Sequence, residues 1–237
     1  MVKKLDIKNL LFLDIETVPE FATFDDLSSE KKLLWEIKSQ YQRKEDCSPE
    51  EFYERAGIWA EFGKIVCISV GYFAFQGEKR KFRLKSFSGD EKKLLLEFRE
   101  LLGTHFNKPQ HLLCAHNGKE FDFPFLARRM LIHNIELPVK LDLFGKRPWE
   151  VPHLDTLELW KFGDHKHFTS LKLLTQVLGI PSPKDDIDGS EVRNVYYEQN
   201  DLKRIVTYCE KDVVAVAQIL LKFRQEPLLQ EEEIFSV

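Results

Sequence analysis

The sequence predicts an α/β protein, a mixed sheet flanked by helices, and three observations carry that expectation. Residues 10–16 alternate Leu11, Leu13 and Ile15 with Phe12, Asp14 and Glu16, the period-two pattern of a strand. "KIVCISVGYFAF" (64–75) and "KRKFRLKSF" (79–87) flank Gln76-Gly77-Glu78, which reads as a hairpin. Beyond residue 88, segments with helical apolar stripes alternate with a short, wholly apolar run.

The elements follow in chain order. After the first strand, Leu33, Leu34, Ile37 and Tyr41 recur at helical spacing between about Ser29 and Arg43. Ser48-Pro49-Glu50-Glu51 is a second helix start: a capping Ser, Pro at the first helical position and Glu three residues after the cap. Together these predict a helical insertion over residues 20–60, longer than usual connections. The second hairpin strand interleaves Phe82 and Leu84 with Lys and Arg, as an exposed edge strand would. Ser88-Gly89-Asp90-Glu91 opens a helix with a stripe of Leu94, Leu95, Phe98, Leu101 and Leu102. "HLLCAHN" (111–117) is a short buried strand, and residues 120–133 form the next helix. "HLDTLELWKF" (153–162) fits strand or helix equally well. A helix from Thr169 to Leu178 stops at Gly179, and "DDIDG" (185–189) is a loop. The last helix runs from Asn200, as cap, to Phe223 and buries Leu202, Ile205, Val206, Cys209, Val213, Val216, Ala217 and Leu220. The acidic tail, residues 226–237, reads as a frayed terminus that carries Ile234 and Phe235.

At 237 residues, one domain spanning the whole chain is expected. Hydrophobic residues make up 43% and charged residues 31%, which excludes a disordered chain. The longest apolar run near the start, Leu10–Leu13, is too short for a membrane span or a secretory signal. Cys47, Cys67, Cys114 and Cys209 form no close pair and read as thiols of a reducing compartment, so a cytoplasmic location is expected. The net charge of −4 argues against a broad polyanion-binding face. Any contact with nucleic acid would have to be local.

That directs attention to the acids. Strand interiors are poor in Asp, and an unpaired buried carboxylate is costly, so Asp14 and Glu16 at the end of a central strand need an explanation. Two further features are acidic: "HNGKEFDFPFL", with Asn117 ending a strand and Asp122 opening a helix, and "YCEKD", with Tyr208 and Asp212 four apart on one helix face. Each alone reads as a helix cap or a solvated charge. Their joint occurrence does not.

"LDIET", "NGKEFD" and "YCEKD", in that order, resemble the three motifs of the DEDD superfamily of 3′–5′ exonucleases, in the tyrosine-containing DEDDy form. "FDFPFL" and "HLDTLELWKF…TSLKLLTQVLGI" are similar to the exonuclease domain of family B DNA polymerases, and "FGKIVCISVG", "DGSEV" and "YCEKDV" to the stand-alone bacterial exonucleases related to it. The resemblance spans residues 10 to about 220. It implies a ribonuclease-H-like, mixed sheet of roughly five to six strands and a metal-dependent 3′–5′ exonuclease acting on single-stranded 3′ ends. It implies two divalent ions, Mg²⁺ or Mn²⁺, which such chemistry holds about 3.5–4 Å apart on carboxylate oxygens. By resemblance, Asp14 bridges both ions, Glu16 and Asp212 hold the one that binds the attacking water, and Asp122 holds the other through water. Tyr208 orients the nucleophile; a phenol with a pKa near 10 is not a base at neutral pH.

The substrate contacts expected are Thr17, just after the first motif, Asn117, Phe121 as a base-stacking ring, and Lys166 and Ser170 as phosphate contacts. Phe121 reads equally as a core residue, and His165 and His167 are not needed as ligands where carboxylates suffice. Asp155 is expected to make a structural hydrogen bond. Arg128 with Arg129, and Lys146 with Arg147, read as a phosphate track or as ordinary solvated charge. A single DNA strand is the expected partner ahead of RNA, and no membrane is expected. Because the chain stops soon after the third motif, no polymerase is expected to follow. An exoribonuclease, a non-catalytic nucleic-acid-binding scaffold and an internally cutting nuclease of the same superfold stay open as alternatives.

Overall fold

The computed structural model describes residues 2–164, 168–181 and 187–236. Its elements in order are β1 (Leu10–Pro19), α1 (Ser29–Ser39), α2 (Pro49–Phe52), β2 (Gly63–Gln76), β3 (Lys79–Ser88), α3 (Glu91–Thr104) and β4 (Leu112–Ala115). Then come α4 (Asp122–Ile132), β5 (Leu154–Asp155), α5 (Thr156–Lys161), α6 (Leu171–Val177), α7 (Val192–Tyr197), α8 (Leu202–Arg224) and β6 (Ile234–Ser236). The strands form one six-stranded mixed sheet in the order β5-β4-β1-β2-β3-β6. β1 runs antiparallel to β2 and parallel to β4, and β2–β3 is the expected hairpin.

The alternation in β1 does what the sequence implies. Leu11, Leu13 and Ile15 join the core under α3 and α4, with Leu94, Leu95, Phe98, Phe123 and Leu126. Phe12 points to the opposite face, against Val213, Val216, Ala217 and Leu220 of α8, and meets Phe73 and Phe82 edge to face at 5.7 Å each. Asp14 and Glu16 share the face of Phe12 and so lie on the α8 side of the sheet. Gly71 of β2 sets how closely α8 can seat: a Cβ there would stand 2.3 Å from the Phe82 ring and 2.9 Å from Val213 Cγ1.

Several boundaries differ from the sequence reading. α1 ends at Ser39, and it buries Trp35 and Ser39 while Leu33, Leu34, Ile37 and Tyr41 face outward. Trp35 instead centres a small core of the insertion with Leu27, Phe52, Tyr53, Ala56 and Phe62. The ambiguous segment is both things in turn, two residues of β5 followed by α5. α7 was not anticipated. α8 is capped by Asp201, which accepts from the Arg204 amide, whereas Asn200 takes a left-handed φ of 52° just outside.

The tail is not frayed. Ile234–Ser236 pairs in parallel with Phe82–Leu84 of β3, so that part of β3 is not an edge. The reason lies far away in sequence: Arg80 binds both carboxylate oxygens of Glu233 and the carbonyls of Pro227 and Leu228. Buried Gln218 bonds both the amide and the carbonyl of Leu229. Arg129 is likewise no part of a phosphate track; it is buried on Glu91 (2.8 and 2.5 Å) and the Ala60 carbonyl. His165, Lys166 and His167 lie outside the described residues.

Candidate active site

Three pieces of chain meet at the carboxyl end of β1. The first is β1 itself, where the pairing register with β2 slips between Glu16 and Thr17, a bulge of the kind that re-aims side chains beside functional sites. The second is the loop from β4 into α4. β4 stops opposite Phe12, so the far end of β1 has no strand on that side. Asp122 fills the space: it is 3% exposed, and its carboxylate is hydrogen-bonded by the backbone of Ile15, the residue between Asp14 and Glu16. The third is α8, whose core-facing side is locked to the sheet and whose flank carries Tyr208 and Asp212 one turn apart, hydrogen-bonded to each other.

Cys209 fastens the third piece to the first. Its thiol lies 3.4 Å from both the carbonyl oxygen and Oδ2 of Asp14. One ligand atom each from Asp14, Glu16 and Cys209 lie within 4.8 Å of one another. Sequence reasoning passed over Cys209 as a core residue, and its only signal was its place directly after Tyr208.

The electrostatics of this cluster are those of crowded anions. Burial pushes the Asp14 carboxyl well above the usual carboxylate range, and Glu16, Asp212 and Asp122 push it further. Burial does the same to Glu16, followed by Asp212, Cys67 and Asp122. Asp122 is raised to about 7 by burial, against the opposing pull of its own amide and that of Ile15, with Asp155 and Asp212 adding to the rise. Tyr208 is raised by burial and then by Asp212, Glu16 and Asp14, so its phenol keeps its proton far above neutral pH. Among the described residues, none of Asp14, Glu16 and Asp122 has a salt bridge to Lys, Arg or His. Contrast Glu91, also buried, which has Arg129 and His133 and whose carboxyl is held below its ordinary value by these contacts and the Ile65 amide despite burial. Buried oxygens of one sign without a cation are the donor set that a hard divalent ion completes.

The remaining predicted residues fall around this centre. Thr17 is half-buried just past the bulge. Asn117 takes a left-handed φ of 62°, held there by Asp155, whose carboxylate accepts from the amides of Asn117 (2.9 Å) and Lys119 (3.0 Å) and also caps α5 at Leu157 and Glu158. The structural hydrogen bond expected of Asp155 is therefore a four-amide clamp on the loop that delivers Asp122. His116 strengthens it, with Nδ1 on Thr156 Oγ1 and Nε2 on the Thr169 carbonyl. Phe121 packs half-buried against the core, 5.4 Å from Phe125, which favours its packing role over base stacking. Ser170 caps α6 and lines a cavity of about 260 Å³ together with Leu171, Lys172, Thr175, Ile187, Tyr208 and Asp212. No helix among the described residues is long and apolar enough to cross a membrane.

The fold is similar to that of a family B DNA polymerase from the hyperthermophilic archaeon Pyrobaculum calidifontis, with a TM-score of 0.50 at 15% identity. That likeness covers 90% of this chain and 24% of the polymerase, so the chain spans about a quarter of its length. In sequence, residues 58–232 match a family described as predicted 3′–5′ exonucleases related to the exonuclease domain of PolB, a stretch that takes in Asp122, Tyr208 and Asp212 but begins after Asp14 and Glu16. Since the match covers well over half of its length, the chain belongs to this PolB-related exonuclease family.

Proposed function

We propose that the protein is a metal-dependent 3′–5′ exonuclease that removes nucleotides one at a time from a single-stranded 3′ end, DNA ahead of RNA. The observation that carries this reading is the convergence of carboxylates from β1, α4 and α8, Asp14, Glu16, Asp122 and Asp212, close enough to raise one another's affinity for protons. Asp14, Glu16, Asp122 and Asp212 would hold a pair of Mg²⁺ or Mn²⁺ ions. Such ions offset the charge of the scissile phosphate and make bound water a better nucleophile.

The protein's own groups then have separable tasks. Hydrolysis adds water across the P–O3′ bond: the 3′ oxygen of the shortened strand leaves with a proton, and the 5′-phosphate stays on the released nucleotide. Tyr208 keeps its Oη proton at neutral pH and donates it to Asp212, so its oxygen is left as a fixed acceptor that orients the attacking water and does not act as a base. The cavity beside Tyr208 offers an apolar lining of Leu171, Ile187 and Ala215 to a nucleotide, with Lys172 and Ser170 at hand for phosphate. Thr17 and the Asp155-clamped Asn117 would border the strand at the reacting end.

A 5′-labelled ladder assay on matched DNA and RNA oligonucleotides, with Mg²⁺ or Mn²⁺, tests this. The expected result is DNA shortened from the 3′ end by the wild type and uncut by Asp14→Ala and Asp212→Ala. Equal ladders from wild type and Asp14→Ala would overturn the site, and a ladder on RNA alone would overturn the substrate.

A further inference from the structure

We propose that the loop between α4 and β5, residues 138–151, is a stacking platform that holds the single strand upstream of the reacting 3′ end. The proposal rests on the exonuclease reading and extends it to a second, non-catalytic surface.

Within this loop, Phe144 is 73% exposed and Trp149 is 74% exposed. Between them stand Lys146 and Arg147, both exposed, with the Arg147 guanidinium 5.5 Å from the centre of the Trp149 ring. Aromatic faces interleaved with cations are what a single strand needs, because bases stack on the rings while phosphates meet the charges. Neither Lys146 nor Arg147 has a carboxylate partner among the described residues. Of the loop's two acids, Asp142 and Glu150, the latter turns its carboxylate to the Arg147 amide at 2.7 Å.

Exposure here does not come from a loose loop. Leu141 is buried, Lys140 Nζ bonds the Lys108 carbonyl, and His153 Nε2 bonds the Lys140 carbonyl at 2.7 Å. The platform also borders the catalytic side of the molecule: Lys119 Nζ lies 3.5 Å from the Pro148 carbonyl, and Lys119 belongs to the same loop as Asn117 and Asp122. A cluster of buried acids repels the strand it must process, so cations set beside it and not inside it are the way to hold a polyanion there. Another exposed apolar stripe, on α1, lacks this chemistry. It is mainly aliphatic, and its flanking Lys31, Lys32 and Lys38 are paired with Glu20, Asp25 and Glu61.

The test compares wild type with Phe144→Ala/Trp149→Ala and with Lys146→Ala/Arg147→Ala. Substrates are a 20-nucleotide DNA strand and p-nitrophenyl thymidine 5′-phosphate, which is too small to reach the loop. Exposed positions tolerate these changes, and circular dichroism checks the fold. The aromatic pair should raise KM for the long strand about tenfold and leave kcat and turnover of the small ester unchanged. The basic pair should reduce the salt slope of strand binding by roughly 1.4, about 0.7 for each lost phosphate contact. Unchanged KM and salt slope in folded variants would overturn the platform, whatever other partner that surface meets. Equal losses on strand and ester would also overturn it. If the wild type cleaves nothing but binds the strand by fluorescence anisotropy, and the aromatic pair abolishes that binding, the catalytic reading fails while the platform stands.

Discussion

Replacing Asp122 by Asn should make the metal-free protein more stable while disabling it. A carboxyl whose value in the folded state lies above that in the unfolded state costs stability once pH exceeds the unfolded value. For Asp122 the cost begins near pH 3.8 and is complete above about 7. At 1.36 kcal/mol per pKa unit, that interval corresponds to about 4 kcal/mol at pH 8 as a ceiling. Asn carries no charge, and its Oδ1 can still accept from the Ile15 amide, so the fold keeps its contact with β1. Urea unfolding in EDTA at pH 8 should therefore show Asp122→Asn more stable by about 1–4 kcal/mol, or some 3–10 °C in Tm for a domain of this size. The difference should shrink steadily as pH is lowered and vanish near pH 3.5. Adding Mn²⁺ should stabilise the wild type more than the variant, because binding to the folded state alone shifts the equilibrium. A variant that is less stable than wild type at pH 8, or equally stable at every pH, would refute the account of mutual repulsion at this site.

Glu91→Gln leaves Arg129 buried without its anion and should cost about 3–5 kcal/mol at pH 7 by chemical denaturation. Because the Glu91 carboxyl is held below its ordinary value, its contribution is present above that value and lost as pH falls through its folded value, so the wild-type advantage should disappear in acid. Tyr208→Phe should lower kcat about 10–100-fold and leave the fold intact, with no new basic limb below pH 10 in the rate profile of the wild type. Deleting residues 227–237 should cost about 3 kcal/mol, since Leu229 loses its buried seat and Gln218 and Arg80 lose their partners. A frayed tail would cost nothing, which a thermal melt decides.

The legible parts of the fold were those fixed by local periodicity. The two-residue period of β1 placed Leu11, Leu13 and Ile15 on one face and Phe12 on the other, as found, and the structure adds that Phe12 enters a second core under α8. The stripe of α8 was readable because Cys209, Val213, Val216, Ala217 and Leu220 repeat over several turns. β6 was not readable: three residues carry no period, and what orders them is Arg80 and Gln218, 153 and 11 residues away from their partners. α1 misleads for the opposite reason. Its apolar spacing is genuine, but the side chain that the molecule buries is Trp35, chosen by the aromatic cluster of Phe52, Tyr53, Trp59 and Phe62 around it.

At the site, the readable signal was conflict and not regularity. Asp14 and Glu16 break the composition of an otherwise buried strand, and such local inconsistencies concentrate where function is placed. Spacing could not bring Asp122 to them, because the contact depends on β4 ending at Ala115, with its pairing to β1 ending at Phe12, before the strand reaches Asp14 and Glu16. The same shortfall makes Asp155 necessary: without a strand to hold it, the loop after β4 is tied through its Asn117 and Lys119 amides to the carboxylate that also caps α5, and by His116 between Thr156 and Thr169. A truncated strand thus explains both the opening that admits the second acid and the clamp that steadies it. Asp155→Ala should therefore reduce kcat far more than strand affinity, whereas loss at Phe144 and Trp149 should do the reverse. A pair of variants that moved the same parameter would show that positioning and strand capture are not separate in this molecule.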